Sequence, residues 1–154
     1  MTESSSPATA SPNAQQLLEL MPLAATLQIQ IESAHPDEVI GRMDWAAERC
    51  TAGGVLHGGS LVSLADCMAG ICAYLNLPAG ASTSTVELKI NYFAAVRDGT
   101  VIAIARPLHR GRTFTVVQTD LYRQPPGGAA GDSDRNRVAQ VTQTQAVLGG
   151  VGRA

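Results

Sequence analysis

One long helical segment, followed by segments that alternate like strands, is the feature that most constrains the fold of this chain. Between Ser60 and Leu75 the apolar side chains recur at the spacing of a helix. They share one face, made of Leu61, Leu64, Ala65, Met68, Cys72 and Leu75. The run Leu77-Pro78-Ala79-Gly80 predicts the end of this helix. Because a helix with one apolar face must bury that face, the segment is expected to pack on a sheet.

Segments with the alternation of strands account for most of the remaining chain. Two are expected before the helix, at 27–32 and 39–45, joined by the turn His35-Pro36-Asp37. Four follow it, at 86–92, 100–109, 113–123 and 138–148. A short helix is expected at 15–21, with Pro22 as its stop, and a loop at 46–55. Short turns favour antiparallel neighbours, so the order predicts an α+β fold with one long central helix on a curved antiparallel sheet of five to six strands.

The composition describes one domain that carries few charges. The chain has 154 residues, of which 45% are hydrophobic and 16% charged, and its formal net charge is −2. Charged residues are depleted from the cores of interfaces, so this low fraction suggests that other subunits cover part of the surface. The sequence has no clustered run of Lys and Arg, and nucleic acid is therefore not an expected partner.

The N-terminal run and the cysteines bear on the expected location. Residues 1–14 are rich in Ser, Pro, Ala and Thr, which is typical of a disordered tail, and they lack the regions of a signal peptide. No run of the sequence reaches the ~18 apolar residues of a membrane span. Cys50, Cys67 and Cys72 lack the spacing of a disulfide framework and are expected to be small apolar fillers. We therefore expect a cytoplasmic protein that does not bind membranes.

The residues that introduce the long helix carry the strongest functional signal. His57-Gly58-Gly59 stands directly before Ser60, and a lone carboxylate, Asp66, lies two turns inside the helix. Backbone N–H groups at a helix start can stabilise a developing oxyanion. A nearby carboxylate can act as a nucleophile or as a general base on water. These are two parts that thioester hydrolysis needs.

Asp66 is the only charged residue between Ser60 and Leu75. Its helix face is otherwise small or weakly polar, with Ser63, Cys67, Gly70 and Tyr74. Such a face is unlike a free surface, so we expect a sheet or a second subunit to cover it, where an unpaired carboxylate would be unfavourable. A solvated surface residue is the alternative interpretation.

Other chemistries lack their signatures in this sequence. His35, His57 and His109 are far apart without the spacing of metal ligands, so no metal site is expected. The sequence contains no Gly-x-Ser-x-Gly elbow, no P-loop and no dinucleotide fingerprint. No cofactor is therefore predicted.

Taken together, these residues resemble the hotdog-fold acyl-CoA thioesterases. The resemblance rests on Leu56-His57-Gly58-Gly59, on Leu64-Ala65-Asp66 and on Thr85-Val86-Glu87-Leu88-Lys89-Ile90-Asn91-Tyr92, and it covers most of the chain. The most similar branch is that of phenylacetate-pathway and 4-hydroxybenzoyl-CoA thioesterases. It implies a sheet wrapped around the helix and an active site at a subunit interface. It also implies self-association as a dimer or as a dimer of dimers, a homotetramer.

The same resemblance implies a division of the chain and roles for four residues. A disordered tail is expected at 1–14, a single thioesterase domain at 15–148 and a frayed C-terminus at 149–154. Asp66 falls on the catalytic carboxylate, and Gly58 on the position whose N–H polarises the thioester carbonyl. His57 falls on the histidine beside it, and Thr85 on a Ser or Thr that positions the attacking water or the carboxylate. Loop capping by His57 and a plain strand contact by Thr85 are the alternatives.

Four further residues are candidate substrate-binding positions. Gly59 would let the substrate approach the backbone. Thr51 stands where family members often have Asn or Gln, whose carboxamide a hydroxyl does not reproduce. Arg110 and Arg112 flank a turn glycine and would contact the phosphates of coenzyme A, since Arg suits phosphate geometry. A turn glycine and a solvated hairpin are the plainer interpretations.

The resulting hypothesis is a thioesterase that hydrolyses an acyl- or aroyl-CoA to free acid and coenzyme A. Asp66 would either activate water or attack the carbonyl to form a mixed anhydride, and the sequence leaves both routes open. Two alternatives also stay open. One is a non-catalytic acyl-CoA-binding module on the same fold, against which the retained Asp66 argues. The other is a hotdog hydratase, whose typical Asp-x-Asn-Pro stretch with a His is not found in the sequence.

Overall fold

A six-stranded antiparallel sheet is the frame of the molecule. The structure is a computed structural model that describes residues 13–128 and 137–149. Its strands are β1 (Gln30–His35), β2 (Glu38–Asp44), β3 (Ala81–Tyr92), β4 (Thr100–Arg110), β5 (Phe114–Gln124) and β6 (Arg137–Gly149). They lie in the order β1-β2-β4-β5-β6-β3, and every neighbouring pair is antiparallel. The predicted α+β architecture is confirmed, and β1 and β3 form the edges of the sheet.

The long helix, α3 (Gly58–Tyr74), packs on one face of this sheet. It contacts all six strands of the sheet. The predicted apolar face is buried, and Leu64 and Met68 are fully excluded from solvent. Val101 and Val117 meet this layer from the sheet. Burying side chains of this size contributes roughly 1.5–3 kcal/mol each, so the layer between helix and sheet is a main source of stability.

Two short helices precede the sheet, α1 (Ala14–Glu19) and α2 (Pro22–Thr26). The expectation that Pro22 stops the chain's first helix is wrong, because Pro22 begins α2. The first position of a helix needs no N–H and suits the fixed φ of proline. After α2 the chain turns at Gln28, whose φ of 51° is left-handed. The first strand therefore begins at Gln30, later than the alternation from 27 predicts.

The strand β3 is longer than predicted and contains a β-bulge. It begins at Ala81 instead of 86, and its pairing with β6 shifts register between Thr85 and Glu87. Unbroken alternation would turn Val86 towards the helix, but the bulge leaves Val86 56% exposed. Thr85 instead directs its hydroxyl to α3. This local irregularity is what brings β3 into the candidate site.

Some expectations lie outside the described residues. These are most of the expected disordered tail at 1–14 and nearly all of the expected frayed C-terminus at 149–154. Within the described residues, no helix has the length and the apolar character that a membrane crossing requires.

Candidate active site

Asp66 lies in the middle of α3 and receives two hydrogen bonds on the same carboxylate oxygen. Thr85 Oγ1 donates from β3 at 3.0 Å, and Gln143 Nε2 donates from β6 at 2.9 Å, both to Oδ1. Oδ2 has no hydrogen-bond partner among the described residues. The half-buried carboxylate is therefore fixed through one oxygen and free at the other.

A chain of hydrogen bonds continues behind Thr85. Gln145 Nε2 donates to Thr85 Oγ1 at 2.8 Å. Thr83 Oγ1 lies 3.1 Å from Gln145 Oε1 and 2.9 Å from the carbonyl oxygen of Ala146. Asp66 is thus the end point of a network that reaches across two strands.

The sequence interpretation missed Gln143 and Gln145. Both are buried on the inner face of β6, which carries Ala139 and Val141 at the preceding inward positions. A polar pair that continues an apolar strand face is unusual, because buried carboxamides need hydrogen-bond partners. That break in the pattern is the sequence signal that could have found them.

His57 caps the N-terminus of α3. Its Nδ1 accepts a hydrogen bond from the Gly59 N–H at 2.8 Å, so the proton of the neutral ring lies on Nε2. The Gly59 N–H is therefore already occupied. The Gly58 N–H has no partner among the described residues and is the donor that this helix start leaves available.

Tyr92 holds the same helix start from the end of β3. Its hydroxyl donates to the Gly58 carbonyl oxygen at 2.9 Å. A Cβ at position 58 would lie 2.7 Å from that hydroxyl oxygen, so the close approach requires glycine. Burial raises the pKa of the Tyr92 hydroxyl, and the group therefore remains a donor at neutral pH.

Two apolar clefts border these groups. The first has a volume of about 340 Å³ and lies between the N-terminal segment, α3 and β3, with Asp66 and Thr85 in its lining. Its apolar walls are Leu17, Leu20, Met21, Ile71 and Tyr74. The second has a volume of about 430 Å³ and lies at the start of α3, beside Gly58. Each cleft thus contains one of the two groups that the sequence predicts to act in thioester hydrolysis.

Gly70 widens the first cleft. It lies one helical turn after Asp66, and beyond its chain neighbours and the nearby backbone of its own helix no atom of the described residues lies within 4 Å of the place that its Cβ would take. A side chain at this position would extend into the cleft. Glycine in a helix interior is unfavourable by about 0.5–1 kcal/mol relative to alanine, so the free space has a cost in stability.

Cys67, the neighbour of Asp66, is not a candidate nucleophile. Burial and the charge of Asp66 raise the pKa of its thiol to about 11. The thiolate is the nucleophilic form of cysteine, and at neutral pH this side chain holds its proton.

The other predicted substrate-binding residues lie away from the clefts. Arg110 is paired with Asp37 and donates to the Pro36 carbonyl at 3.3 Å, and neither Arg110 nor Arg112 lines a cleft. Thr51 is exposed in the loop before α3, where its N–H donates to the Val55 carbonyl at 2.8 Å. Their roles towards coenzyme A stay predictions.

Gly58 and Asp66 are far apart within one chain. Asp66 lies eight positions after Gly58, which corresponds to about 12 Å along the helix axis. An oxyanion donor and a catalytic carboxylate must both lie within roughly 3–3.5 Å of the same reacting carbonyl group. One chain alone therefore does not bring the two groups to the same thioester.

Sequence comparisons relate the chain to thioesterases. The sequence model of the Thioesterase superfamily matches residues 53–130, half of the chain. The chain is 27% identical over 96 residues to the 1,4-dihydroxy-2-naphthoyl-CoA hydrolase of Escherichia coli, and the aligned region covers 62% of this chain and 71% of that protein. It is 33% identical over 101 residues to human acyl-coenzyme A thioesterase 13, with coverages of 65% and 71%. In a relative from Haemophilus influenzae named as an esterase, the match is 37% identical over 68 residues, or 44% of this chain, and spans 49% of that protein's length.

The fold agrees with solved structures over nearly the full chain. A mutant thioesterase from Pseudomonas aeruginosa superposes with a TM-score of 0.78 at 25% identity, covering 90% of this chain and 95% of that one. A conserved protein from the same organism superposes with a TM-score of 0.73 at 32% identity, covering 89% and 100%. The chain therefore belongs to the thioesterase superfamily and has its hotdog fold, as the sequence predicts.

Proposed function

We propose that this protein hydrolyses an acyl- or aroyl-CoA thioester to the free acid and coenzyme A. The observation that carries the proposal is Asp66, a lone carboxylate whose one oxygen is held by Thr85 and Gln143 and whose other oxygen is free beside an apolar cleft. Two relatives, a naphthoyl-CoA hydrolase and an acyl-coenzyme A thioesterase, support a coenzyme A thioester as the substrate.

Two chemical routes use the free oxygen of Asp66. As a general base, Oδ2 takes a proton from water, the water oxygen bonds to the carbonyl carbon, and the C–S bond breaks. The sulfur leaves as a thiolate and regains a proton. As a nucleophile, Oδ2 bonds to the carbonyl carbon directly, the thiolate leaves, and water then cleaves the mixed anhydride. In both routes, charge develops on the carbonyl oxygen, which the free Gly58 N–H would stabilise.

The complete site would contain residues from two subunits. Because Gly58 and Asp66 of one chain lie about 12 Å apart along α3, Gly58 of one subunit would serve Asp66 of its partner. The long edge strand β3 offers the place for such pairing, since it is hydrogen-bonded only to β6 within the described residues. An unpaired edge of this length is a ready template for a strand of another chain.

The contacts at the two ends of β3 suggest the register of this pairing. Thr85 lies beside Asp66 and Tyr92 lies beside Gly58, so Thr85 should lie opposite the partner subunit's Tyr92. Both side chains face α3, as strands of one continuous sheet require of opposite residues. Because of the bulge, Thr85 and Val86 together occupy one position of the strand ladder. Lys89 then lies midway between Thr85 and Tyr92, so this register places it next to the partner subunit's Lys89 on the two-fold axis.

The acyl group would occupy the cleft beside Asp66. Its apolar walls and the open space at Gly70 suit a bulky apolar group, either aromatic or of medium chain length. An acetyl group would leave most of the cleft unfilled. We therefore expect kcat/KM to rise from acetyl-CoA to hexanoyl-CoA or benzoyl-CoA.

Asp66→Asn tests the proposal most directly. Thiol release from benzoyl-CoA and hexanoyl-CoA should fall by about 10²–10⁴, because a positioned base or nucleophile is lost while the shape is kept. Circular dichroism and the molecular mass in solution should not change. Asp120→Asn is the matched control, since Asp120 is also a buried carboxylate that accepts from a glutamine, Gln140, at 2.9 Å. Near-normal turnover in the Asp66→Asn variant would refute catalysis by this residue, and acyl-CoA binding without turnover in the wild type would favour a binding module.

A further inference from the structure

Two buried glutamines on β6 lie behind Asp66, and neither takes part in the two chemical routes themselves. Gln143 and Gln145 are 0% and 1% exposed. They lie at successive inward positions of the strand, where apolar side chains would pack against α3 without needing partners. A buried polar side chain calls for an explanation in terms of what it holds.

Gln143 contacts Asp66 in a way that leaves part of its own amide unsatisfied. Its Nε2 donates to Asp66 Oδ1 at 2.9 Å, while its Oε1 is buried without a hydrogen-bond partner among the described residues. An ionised carboxylate only accepts hydrogen bonds, so the amide must present its nitrogen to Asp66. An isolated buried acceptor is destabilising, and stability alone is therefore a poor explanation for this glutamine.

Gln145 contacts the carboxylate of Asp66 only through Thr85. Its Nε2 donates to Thr85 Oγ1 at 2.8 Å, and the one hydroxyl hydrogen of Thr85 is then directed to Asp66 Oδ1, 3.0 Å away. Because Thr85 gives its one hydrogen to Asp66, its Oγ1 can only accept from Gln145, so the amide must face its nitrogen to Thr85. An amide hydrogen of Gln145 therefore points to Thr85, and the hydroxyl hydrogen of Thr85 points to Asp66.

We propose that Gln143 and Gln145 are positioning residues for Asp66, Gln143 directly and Gln145 through Thr85. Together they hold Oδ1 against the sheet and leave Oδ2 as the reacting atom. The inference rests on the proposed function, because it assigns a direction to the carboxylate that reacts. The resemblance left two roles open for Thr85, positioning the carboxylate or positioning the attacking water. In this proposal the hydroxyl hydrogen of Thr85 orients the carboxylate.

Methionine substitutions test this role, since methionine has nearly the shape of glutamine without its amide. In Gln143→Met and Gln145→Met, kcat for benzoyl-CoA should fall by about 10- to 100-fold, because a displaced reacting group loses its alignment. KM should stay within about twofold, because the cleft is unchanged. Gln140→Met is the matched control, since Gln140 lies on the same strand and donates to a different carboxylate, Asp120, at 2.9 Å. It should keep the wild-type kcat.

A double-mutant cycle decides whether Gln145 acts through Thr85. In a Thr85→Val background, Gln145→Met should lower kcat by less than about twofold further, because its contact has already lost its effect. Gln143→Met should still lower kcat in that background. Thr85→Ser keeps the hydroxyl and should restore most of the turnover that Thr85→Val loses. Full additivity of Thr85→Val and Gln145→Met would overturn the indirect role of Gln145.

A spectroscopic measurement separates this inference from the proposed function. The side-chain amide ¹H–¹⁵N signals of Gln143, assigned by their loss in Gln143→Met, should shift in Asp66→Ala far more than those of Gln140. If the shift occurs but the wild type releases no thiol from benzoyl-CoA or hexanoyl-CoA, the proposed function fails and the orienting contact stands. The positioning inference is overturned if the shift is absent. It is also overturned if the wild type turns over and both methionine variants match Gln140→Met in kcat.

Discussion

The two oxygens of Asp66 have different surroundings, and this difference governs what a single side chain can do here. Oδ1 accepts from Thr85 and Gln143, whereas Oδ2 has no partner among the described residues of the cleft. A carboxylate held through one oxygen presents the other in one direction, which favours a near-attack geometry. Charge and direction are therefore separable properties: Asp66→Asn removes the charge, and changes at the donors remove only the direction.

Gly70 is expected to determine how large an acyl group the cleft accepts. Because nothing lies within 4 Å of its missing Cβ, Gly70→Ala should raise the free energy of unfolding by about 0.5–1 kcal/mol and leave turnover nearly unchanged. Gly70→Leu should fill the cleft and lower kcat/KM for benzoyl-CoA roughly tenfold or more, with little effect on acetyl-CoA. Thermal unfolding and thiol release measure the two effects. Equal losses for both substrates would place the acyl group elsewhere.

The thiol of Cys67 reports the charge of Asp66 without any substrate. Its pKa is raised from 9.0 to about 11, first by burial and then by the neighbouring carboxylate. In a protein with Cys50→Ser and Cys72→Ser, alkylation by iodoacetamide at pH 8 should be slow and should speed up as the pH approaches 11. Asp66→Asn removes a charge that disfavours the thiolate, so alkylation should become faster at a given pH. An unchanged rate profile would contradict the electrostatic coupling.

The same shift has a consequence for stability. The unfolded chain releases the Cys67 proton near pH 9.0, whereas the folded protein holds it up to about 11. The contribution to stability is therefore fully present below pH 9.0 and is lost as the pH rises to about 11. Unfolding in urea at pH 8 and pH 11, with and without Cys67→Ala, would measure it.

At the level of secondary structure, the edge strand β3 is expected to pair with the same strand of a second copy. The register that places Thr85 opposite the partner subunit's Tyr92 brings Lys89 to the two-fold axis. Opposite Cα atoms in an antiparallel pair are about 4.5–5.5 Å apart, which is within the range of a disulfide. Lys89→Cys should therefore form a covalent dimer under mild oxidation, visible on non-reducing gels.

Glu87→Cys is the control for this register. Glu87 is exposed on the same strand, but in the proposed pairing it would lie about 13 Å from its own copy, beyond the reach of a disulfide. Cross-linking of Glu87→Cys in place of Lys89→Cys would show that the strands pair in another register. Cross-linking of neither would argue against β3 as the interface.

The comparison of β3 with the other elements shows what the sequence could predict. The helix α3 and the strands β4, β5 and β6 follow from periodicity, and each predicted end lies within two residues of the observed one. The bulge at Val86 does not follow from periodicity, because the alternation of Val86, Leu88 and Ile90 looks regular in the sequence. Gln143 and Gln145 were missed for a related reason: a strand pattern predicts which face is inward, but partners such as Asp66 depend on packing between distant elements. The motif around His57, in contrast, is local, and its helix-capping geometry could be anticipated.

At the level of the whole molecule, the surface near β3 has the properties of an interface. The edge strand and the segment after it expose Val86, Tyr92 and Phe93, each at least half exposed to solvent in the single chain, at 56%, 50% and 53%. Only 16% of all residues are charged. Aromatic residues are enriched and charges depleted where subunits meet, so a second copy would cover these side chains. This is the same edge at which one chain's Gly58 and another's Asp66 would meet.

Mixing two inactive variants tests whether the site is shared between subunits. One variant is Asp66→Ala. The other carries Gly58→Pro, which removes the N–H, and Tyr92→Phe, which removes the hydroxyl that a Cβ at position 58 would approach at 2.7 Å. Proline suits the first position of a helix, and His57, with φ −62° and ψ 137°, has the backbone conformation preferred before proline. The variant should therefore fold, and Tyr92→Phe alone is its control.

Each mixed dimer would contain one site with both intact groups and one site with neither. If subunits exchange freely, half of the dimers are mixed, so an equal mixture should regain about a quarter of the wild-type turnover, although each variant alone is nearly inactive. The measurement is thiol release from benzoyl-CoA after co-refolding, with mixed dimers quantified by mass spectrometry. A site contained within one chain gives a different result, because every chain in the mixture then lacks either Asp66 or the Gly58 N–H. Mixed dimers that form in full but release no thiol would therefore show that the two groups act within the same subunit.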